Sequence, residues 1–175
     1  SALTFNIQPV RATGTIYIRA DGSIDPPDAP ISTFNNVTYT LTGNIISDAD
    51  GIVVEKHSIT VEGGGFAVQG AGNGKGVDLT NRSGATIKNI RIMRFYYGIY
   101  LSSSSNNSII GNNITAYRGV GGYGIYLYYS SNNNSISGNN ITENEEYGIY
   151  LSSSSNNSIS GNSISGNKTS TIYEL

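Results

Sequence analysis

YGIYLSSSSNNSIIGNNIT, residues 97–115, decides the fold because the chain repeats it. It returns as YGIYLYYSSNNNSISGNNIT at 123–142 and as YGIYLSSSSNNSISGNSIS at 147–165. The glycines that mark these copies, Gly98, Gly124 and Gly148, are spaced 26 and 24 residues apart. Upstream, the register continues with less identity in Gly76-Val77-Asp78-Leu79 and Gly51-Ile52-Val53-Val54, at spacings of 22 and 25. Five copies in one register define an internal repeat whose period is too short for most helical repeats.

Within each copy the apolar residues alternate with polar ones. Ile99 and Leu101 flank Tyr100, Ile125 and Leu127 flank Tyr126, and Ile149 and Leu151 flank Tyr150. A period of two is a strand signal, and the Ser/Asn runs that follow have turn composition. A second short strand holds Ile109, Ile136 or Ile159. A third begins near Ile114, Ile141 or Ile164, after the Gly-Asn pairs at 111–112, 138–139 and 161–162. One unit cannot bury its own apolar residues, so units must stack at ~4.8 Å per coil, each strand pairing with its equivalent in the next. The expected fold is all-β: a right-handed, single-stranded parallel β-helix (β-solenoid) of about seven coils of ~24 residues, filling residues 13–175. Asn tolerates left-handed turns, and stacked amides hydrogen-bond along such a rod. Asn112, Asn139 and Asn162 are expected to form one such ladder.

Toward the N-terminus the pattern loosens. Residues 15–18 alternate as a strand, and residues 36–41 and 44–46 read as strands of a first coil. Residues 58–61 and 66–68 belong to the coil opened by Gly51. Residues 21–30, with three of the four prolines, read as a loop. Residues 1–12, SALTFNIQPVRA, read either as an export-signal remnant ending in a small-residue cleavage pattern or as an assembly strand with Leu3, Phe5 and Ile7 on one face.

Composition excludes several classes. The 175 residues carry 13% charged side chains and a formal net charge of −2, so there is no basic field for nucleic acid. Thirteen tyrosines and many Ile and Val argue against disorder. Cysteine is absent, which removes disulfides, thiol catalysis and thiolate metal sites. No run is long enough for a transmembrane segment.

The repeated GIYL–Ser/Asn–NSIxGNxI unit resembles the NosD-like group of parallel β-helix proteins. The opening GTIYIRADGSIDPPDAPIS, from Gly14, looks like the start of secreted archaeal proteins of that group. The resemblance covers roughly residues 14 to 167. It implies the β-helix fold, and it brings expectations drawn from a copper-binding periplasmic member and from carbohydrate-binding and sugar-hydrolase relatives. The fold itself hosts many unrelated functions. For copper the chain departs from the expectation: it has no Cys, one Met and one His.

Polysaccharide-cleaving β-helices need clustered carboxylates on one face. Here no Asp follows Asp78, and between Gly98 and Thr142 the only charge is Arg118. The two acidic clusters, Asp48/Asp50/Glu55 and Glu143/Glu145/Glu146, read as solvated turns. His57 reads as a surface histidine without an obvious partner. The glycine-rich residues 63–76 lack P-loop or dinucleotide spacing and read as a flexible turn between coils. No catalytic residue, cofactor or metal site is therefore expected.

Two surface features remain. With Ile99 and Leu101 inward, Tyr100 points outward, and Tyr126 and Tyr150 stack beside it as a binding or packing ladder. Asp78 and Val53 continue that row. Asn-X-Ser/Thr occurs at Asn36, Asn81, Asn106, Asn113, Asn133, Asn140, Asn156 and Asn167, so covalent glycans are an expected partner. No lid or capping helix is read after the coil from Gly148, which suggests either a fragment of a longer protein or strand edges that stack on another copy. The resulting expectation is a non-enzymatic exported structural glycoprotein at the cell surface, assembling head to tail into a filament or layer. The alternative is a carbohydrate-binding module, or a remnant of a polysaccharide-active enzyme, with polysaccharide as partner.

Overall fold

Alternation folds each repeat into three short strands, and the stack of repeats is the molecule. The computed structural model describes residues 14–116 and 121–175, so the readings placed on residues 1–12 and on Arg118 lie outside the described residues.

The first turn runs through β1 (Ile16–Ile18), β2 (Ile24–Asp25), β3 (Ile31–Thr33), β4 (Thr38–Leu41) and β5 (Ile45–Ile46). Later turns use three strands each. These are β6 (Ile52–Val54), β7 (Thr60–Glu62) and β8 (Ala67–Gln69), then β9 (Lys75–Asp78), β10 (Thr86–Lys88) and β11 (Arg91–Met93). The three most regular turns follow: β12 (Tyr97–Ser102), β13 (Ser108–Ile110) and β14 (Asn113–Thr115); β15 (Tyr123–Tyr128), β16 (Ser135–Ser137) and β17 (Asn140–Thr142); β18 (Tyr147–Ser152), β19 (Ser158–Ser160) and β20 (Ser163–Ser165). β21 (Ser170–Glu174) opens a further rung. The rod thus has about six turns, with seven parallel rungs in its first sheet. Among the described residues there is no helix, and none long and apolar enough to cross a membrane.

Three sheets form the walls of this right-handed parallel β-helix. In order they are β2-β1-β6-β9-β12-β15-β18-β21, β19-β16-β13-β10-β7-β4-β3, and β20-β17-β14-β11-β8-β5. All pairings are parallel except β1 with β2 and β3 with β4, both at the N-terminal end. The stretch read as a loop, residues 21–30, therefore contributes the edge strand β2. Its two ladder positions, Ile24 and Asp25, precede Pro26 and Pro27, which cannot donate to a sheet.

Each sheet buries one column of like residues. In the first, Ile16, Ile52, Val77, Ile99, Ile125 and Ile149 are in register, all 0% exposed. Tyr39, Val61, Ile87, Ile109 and Ile136 form the second column, Ile45, Val68, Ile92, Ile114 and Ile141 the third. Burying each such side chain contributes ~1.5–3 kcal/mol. The repetition of the sequence follows from this: a column offers the same space at every rung, so the same residue fits.

Candidate functional site

The outer face of the first sheet carries the tyrosines, and a glycine arranges them. Strict alternation would place Tyr97 and Tyr100 on opposite faces. In the structure both face outward, with ring centroids 5.0 Å apart. Two successive residues, Gly98 and Ile99, turn inward between them, which gives β12 the burial order half-buried, buried, buried, half-buried. A Cβ on Gly98 would lie 2.4 Å from the Gly124 carbonyl oxygen and 2.5 Å from Ile114 Cγ2. Only glycine allows the third-sheet column to pack that closely. Gly51, Gly76, Gly124 and Gly148 make the same approach to Val68, Ile92, Ile141 and Ile164, at 2.4–2.5 Å.

Two tyrosine columns result. One holds Tyr97, Tyr123 and Tyr147; the other holds Tyr100, Tyr126, Tyr150 and Tyr173. In the second column neighbouring rings are nearly parallel, at 8°, 6° and 14°, with centroids 5.6, 4.8 and 5.2 Å apart. The columns interlock edge to face, Tyr97 with Tyr126 at 4.9 Å and Tyr123 with Tyr126 at 5.0 Å. Parallel rings this close cannot lie side by side in one plane, so they stack face on face and present edges and hydroxyls outward. The tyrosines read in the sequence as a binding or packing ladder do stack, and their ring faces already cover one another. Sequence reasoning missed Tyr97, Tyr123 and Tyr147 as a column because it assumed unbroken alternation.

An ion pair closes the N-terminal end of the stack. Asp78 is in register with Tyr100, and Lys75 with Tyr97. Lys75 Nζ bonds Asp78 Oδ2 at 2.6 Å and lies 4.5 Å from the centroid of Tyr100. This is a cation–π contact where the next ring would be. Asp78 also accepts from the Thr80 amide at 2.9 Å. Desolvation first, and neighbouring phenols second, raise the Tyr97 pKa well above its ordinary value and push Tyr126 up to about 12. Tyr123 and Tyr147 shift upward for the same first cause.

The corners of the rod carry asparagine ladders. Asn112 Nδ2 donates to Asn139 Oδ1 at 3.0 Å, and Asn139 Nδ2 to Asn162 Oδ1 at 2.9 Å. Each Oδ1 also accepts the backbone N–H of the asparagine before it. Two ladders went unread in the sequence: Asn107–Asn134–Asn157 and Asn144–Asn167. The first has the same spacing as the ladder identified by sequence, so the signal was present.

These ladders sort the sequons. Asn106, Asn133 and Asn156 each stand just before a ladder residue, exposed, in the left-handed conformation. Asn36 and Asn81 are likewise exposed and left-handed, and Asn113 and Asn140 point outward from the third sheet. Asn167 differs. Its Oδ1 accepts from the Asn144 amide at 3.1 Å and from Asn144 Nδ2 at 2.8 Å, and its own Nδ2 is buried without a partner.

The remaining charged groups do not converge. Asp50 accepts from the Lys75 amide at 2.8 Å, and Glu55 pairs with Arg19 at 2.9 Å. Glu145 pairs with Lys168, and Glu146 accepts from Thr169 Oγ1 at 3.0 Å. His57, read as unpartnered, has partners: Nδ1 meets the Ser83 amide at 3.1 Å and Nε2 meets Arg82 Nη1 at 3.3 Å. Four glycines of 63–76 are closely packed: a Cβ on Gly63 would lie 2.0 Å from the Asn89 oxygen, one on Gly70 2.5 Å from the Arg94 oxygen, one on Gly74 2.6 Å from the Ala49 oxygen and one on Gly76 2.4 Å from Ile92 Cγ2, whereas Gly65 faces open space. A groove of about 400 Å³ on the third sheet is lined by Phe66, Met93 and Arg91 among others, and holds no cluster of titratable groups. Among the described residues no three His, Cys, Asp or Glu side chains are grouped to hold a metal ion.

Nothing matches the chain significantly among curated proteins or among solved structures. One family does match, described as "Periplasmic copper-binding protein (NosD)", over residues 12–174. That span takes in every rung of the rod, both tyrosine columns and all three asparagine ladders. The chain belongs to the NosD family, a family described as periplasmic, and its repeat is the family's β-helix.

Proposed function

We propose that the chain is a non-catalytic, exported carbohydrate-binding scaffold whose contact surface is the tyrosine face of the first sheet. The observation that carries this reading is the pair of interlocked tyrosine columns on an open face whose outer positions in β12, β15 and β18 carry no charge. Tyrosine combines apolar area with a polar tip, and an open face suits a long ligand better than a small one. The family's copper does not fit these residues. There is no Cys, and His57 has both ring nitrogens against N–H donors. Met93 lines a different face from His57's partners. Binding to immobilised glycans tests the proposal: wild-type protein should be retained and Tyr100→Ala/Tyr126→Ala should not. Equal retention of both would remove the tyrosine face from consideration.

Head-to-tail assembly as a surface filament is the second reading, supported by one observation. Asn167 Nδ2 is buried and unpartnered, whereas the equivalent atom of Asn144 donates to the rung that follows it. An acceptor one rung further on would satisfy it, and a second copy stacked on this rung is one source of such an acceptor. The N-terminal end limits how such copies meet, since β2 and β3 run antiparallel to their neighbours and are short. Electron microscopy with intact mass on native material decides this reading: fibres with mass above the calculated value support it, and compact monomers at the calculated mass exclude it. In the same mass data glycans are expected on the exposed sequons and not on Asn167.

A further inference from the structure

Resting on the carbohydrate reading above, we propose that the tyrosine face binds through its phenol hydroxyls, not its ring faces, and that its ligand is a neutral linear polysaccharide lying along the rod. An aromatic side chain that holds a sugar by stacking must offer an uncovered face. Tyr126 offers none: Tyr100 lies parallel on one side at 5.6 Å and Tyr150 on the other at 4.8 Å. What remains outward is a comb of hydroxyls. Each is both donor and acceptor. Among the described residues, the hydroxyls of Tyr97, Tyr100, Tyr123, Tyr126, Tyr147 and Tyr150 have no hydrogen-bond partner on the protein, whereas that of buried Tyr39 donates to the Gly22 oxygen at 2.8 Å.

Charge selects the ligand class. The outer positions of β12, β15 and β18 are Tyr and Ser, without an ionisable cation or carboxylate. Among the described residues Lys75, which borders the columns, is engaged by Asp78, and Glu146 stands at the edge beside Tyr147. Among those residues an acidic polysaccharide finds no free cation here. A neutral one finds uncharged hydroxyls, since a phenol with a pKa of ~10 or above keeps its proton at neutral pH.

Periodicity selects the direction. Along the rod a hydroxyl recurs in each column at every rung, ~4.8 Å apart. Across the rod a rung offers the two tyrosine columns and a third outward hydroxyl, from Ser102, Tyr128 or Ser152. A linear chain of sugars parallel to the rod therefore meets hydroxyls at every unit, and one laid across it meets at most three.

Affinity electrophoresis against mannan and soluble β-1,4-glucan, with polygalacturonate as the acidic comparison, tests the mechanism. Tyr126→Phe/Tyr150→Phe keeps the stacked rings and removes two hydroxyls; near-ultraviolet circular dichroism confirms that the stack is intact. The expected result is retardation of wild type by a neutral polymer and at least ~10-fold weaker binding by the double variant, the loss of one or two hydrogen bonds. Binding by the double variant within twofold of wild type overturns the hydroxyl mechanism but leaves the carbohydrate reading standing. No retardation of wild type by either neutral polymer, or preference for polygalacturonate, overturns the inference, and the first of these also overturns the reading beneath it. In a length series of oligosaccharides, affinity should keep rising until the ligand spans Tyr100 to Tyr173; a plateau at the disaccharide rules out the axial direction.

Discussion

Ile52 follows its parallel partner Ile16 by 36 residues, whereas Ile149 follows Ile125 by 24. The first turn is longer because the chain leaves the coil twice to lay β2 and β3 against the rod's end. Its contacts are individual: Arg19 bonds both Asp25 and Glu55, and Tyr39 reaches Gly22. In the turns from Gly98 onward the contacts are shared. One asparagine serves the rung before it and the rung after it, one glycine position lets every third-sheet residue approach, and each tyrosine is a neighbour's partner. A ladder raises the cost of a single change, because the residue removed was completing its neighbours' hydrogen bonds as well as its own.

The sharpest way to break this contrast is at the asparagines. Asn139→Ala strands the buried Asn112 amide and the Ile109 oxygen and leaves Asn112 Nδ2 with the Ile87 oxygen alone. At ~1–3 kcal/mol per buried unsatisfied group, partly relieved by water, a loss of about 4 kcal/mol is expected. Asn44 makes a look-alike bond, accepting from the Ala67 amide at 2.9 Å, but it is exposed and belongs to no ladder. Asn44→Ala should cost ~0.5–1 kcal/mol. Urea midpoints of the two variants give the comparison, and equal losses would show that the ladder adds nothing. Glycine gives the next largest difference. Gly124→Ala places a Cβ 2.4 Å from the Gly148 oxygen and 2.5 Å from Ile141 Cγ2, and about 3 kcal/mol of overpacking is expected. Gly43→Ala meets only Pro30 Cβ at 3.2 Å, in the first turn, and should cost under ~1 kcal/mol. Thermal unfolding of both reads the contrast directly.

The same division explains what was legible in the sequence. The register of Gly51, Gly76, Gly98, Gly124 and Gly148 was readable because a column that repeats in space must repeat in the chain. The Asn112–Asn139–Asn162 column followed from the same logic. Tyr97 was not readable as an outward residue, since the local rule of alternation fails at Gly98 for a reason two strands away: the approach of Ile114. β2 was hidden among prolines because an end strand needs few hydrogen bonds and no partner on its outer edge. Nor does a motif reveal that the Asn167 side chain, chemically a sequon like the others, is held by Asn144. Sequon patterns describe three consecutive residues; exposure depends on the rung above.

Tyrosines sharpen the comparison at smaller amplitude. Tyr126→Ala removes two stacked and two edge contacts, at ~0.5–1.5 kcal/mol for each effective pair, so about 2 kcal/mol is expected. Tyr17, in the first turn, stacks on no other ring among the described residues and has Arg19 over its face at 4.1 Å, so Tyr17→Ala should cost under ~1 kcal/mol.

The smallest effect is the most specific to the tyrosine face. In the unfolded chain its phenols ionise near pH ~10; in the folded rod burial raises them, Tyr126 to about 12. Below pH ~10 both states hold the proton and stability is flat. Between about 10 and 12 the unfolded chain loses protons that the folded rod keeps, so stability falls with rising pH. Phenolate absorbance should accordingly show a late-titrating group that is absent from Tyr126→Phe, and the melting temperature of that variant should decline less steeply above pH ~10. If wild type and Tyr126→Phe lose stability in parallel through that window, the interlocked columns do not hold their phenols away from water, and the tyrosine face is no more ordered than the scattered side chains of the first turn.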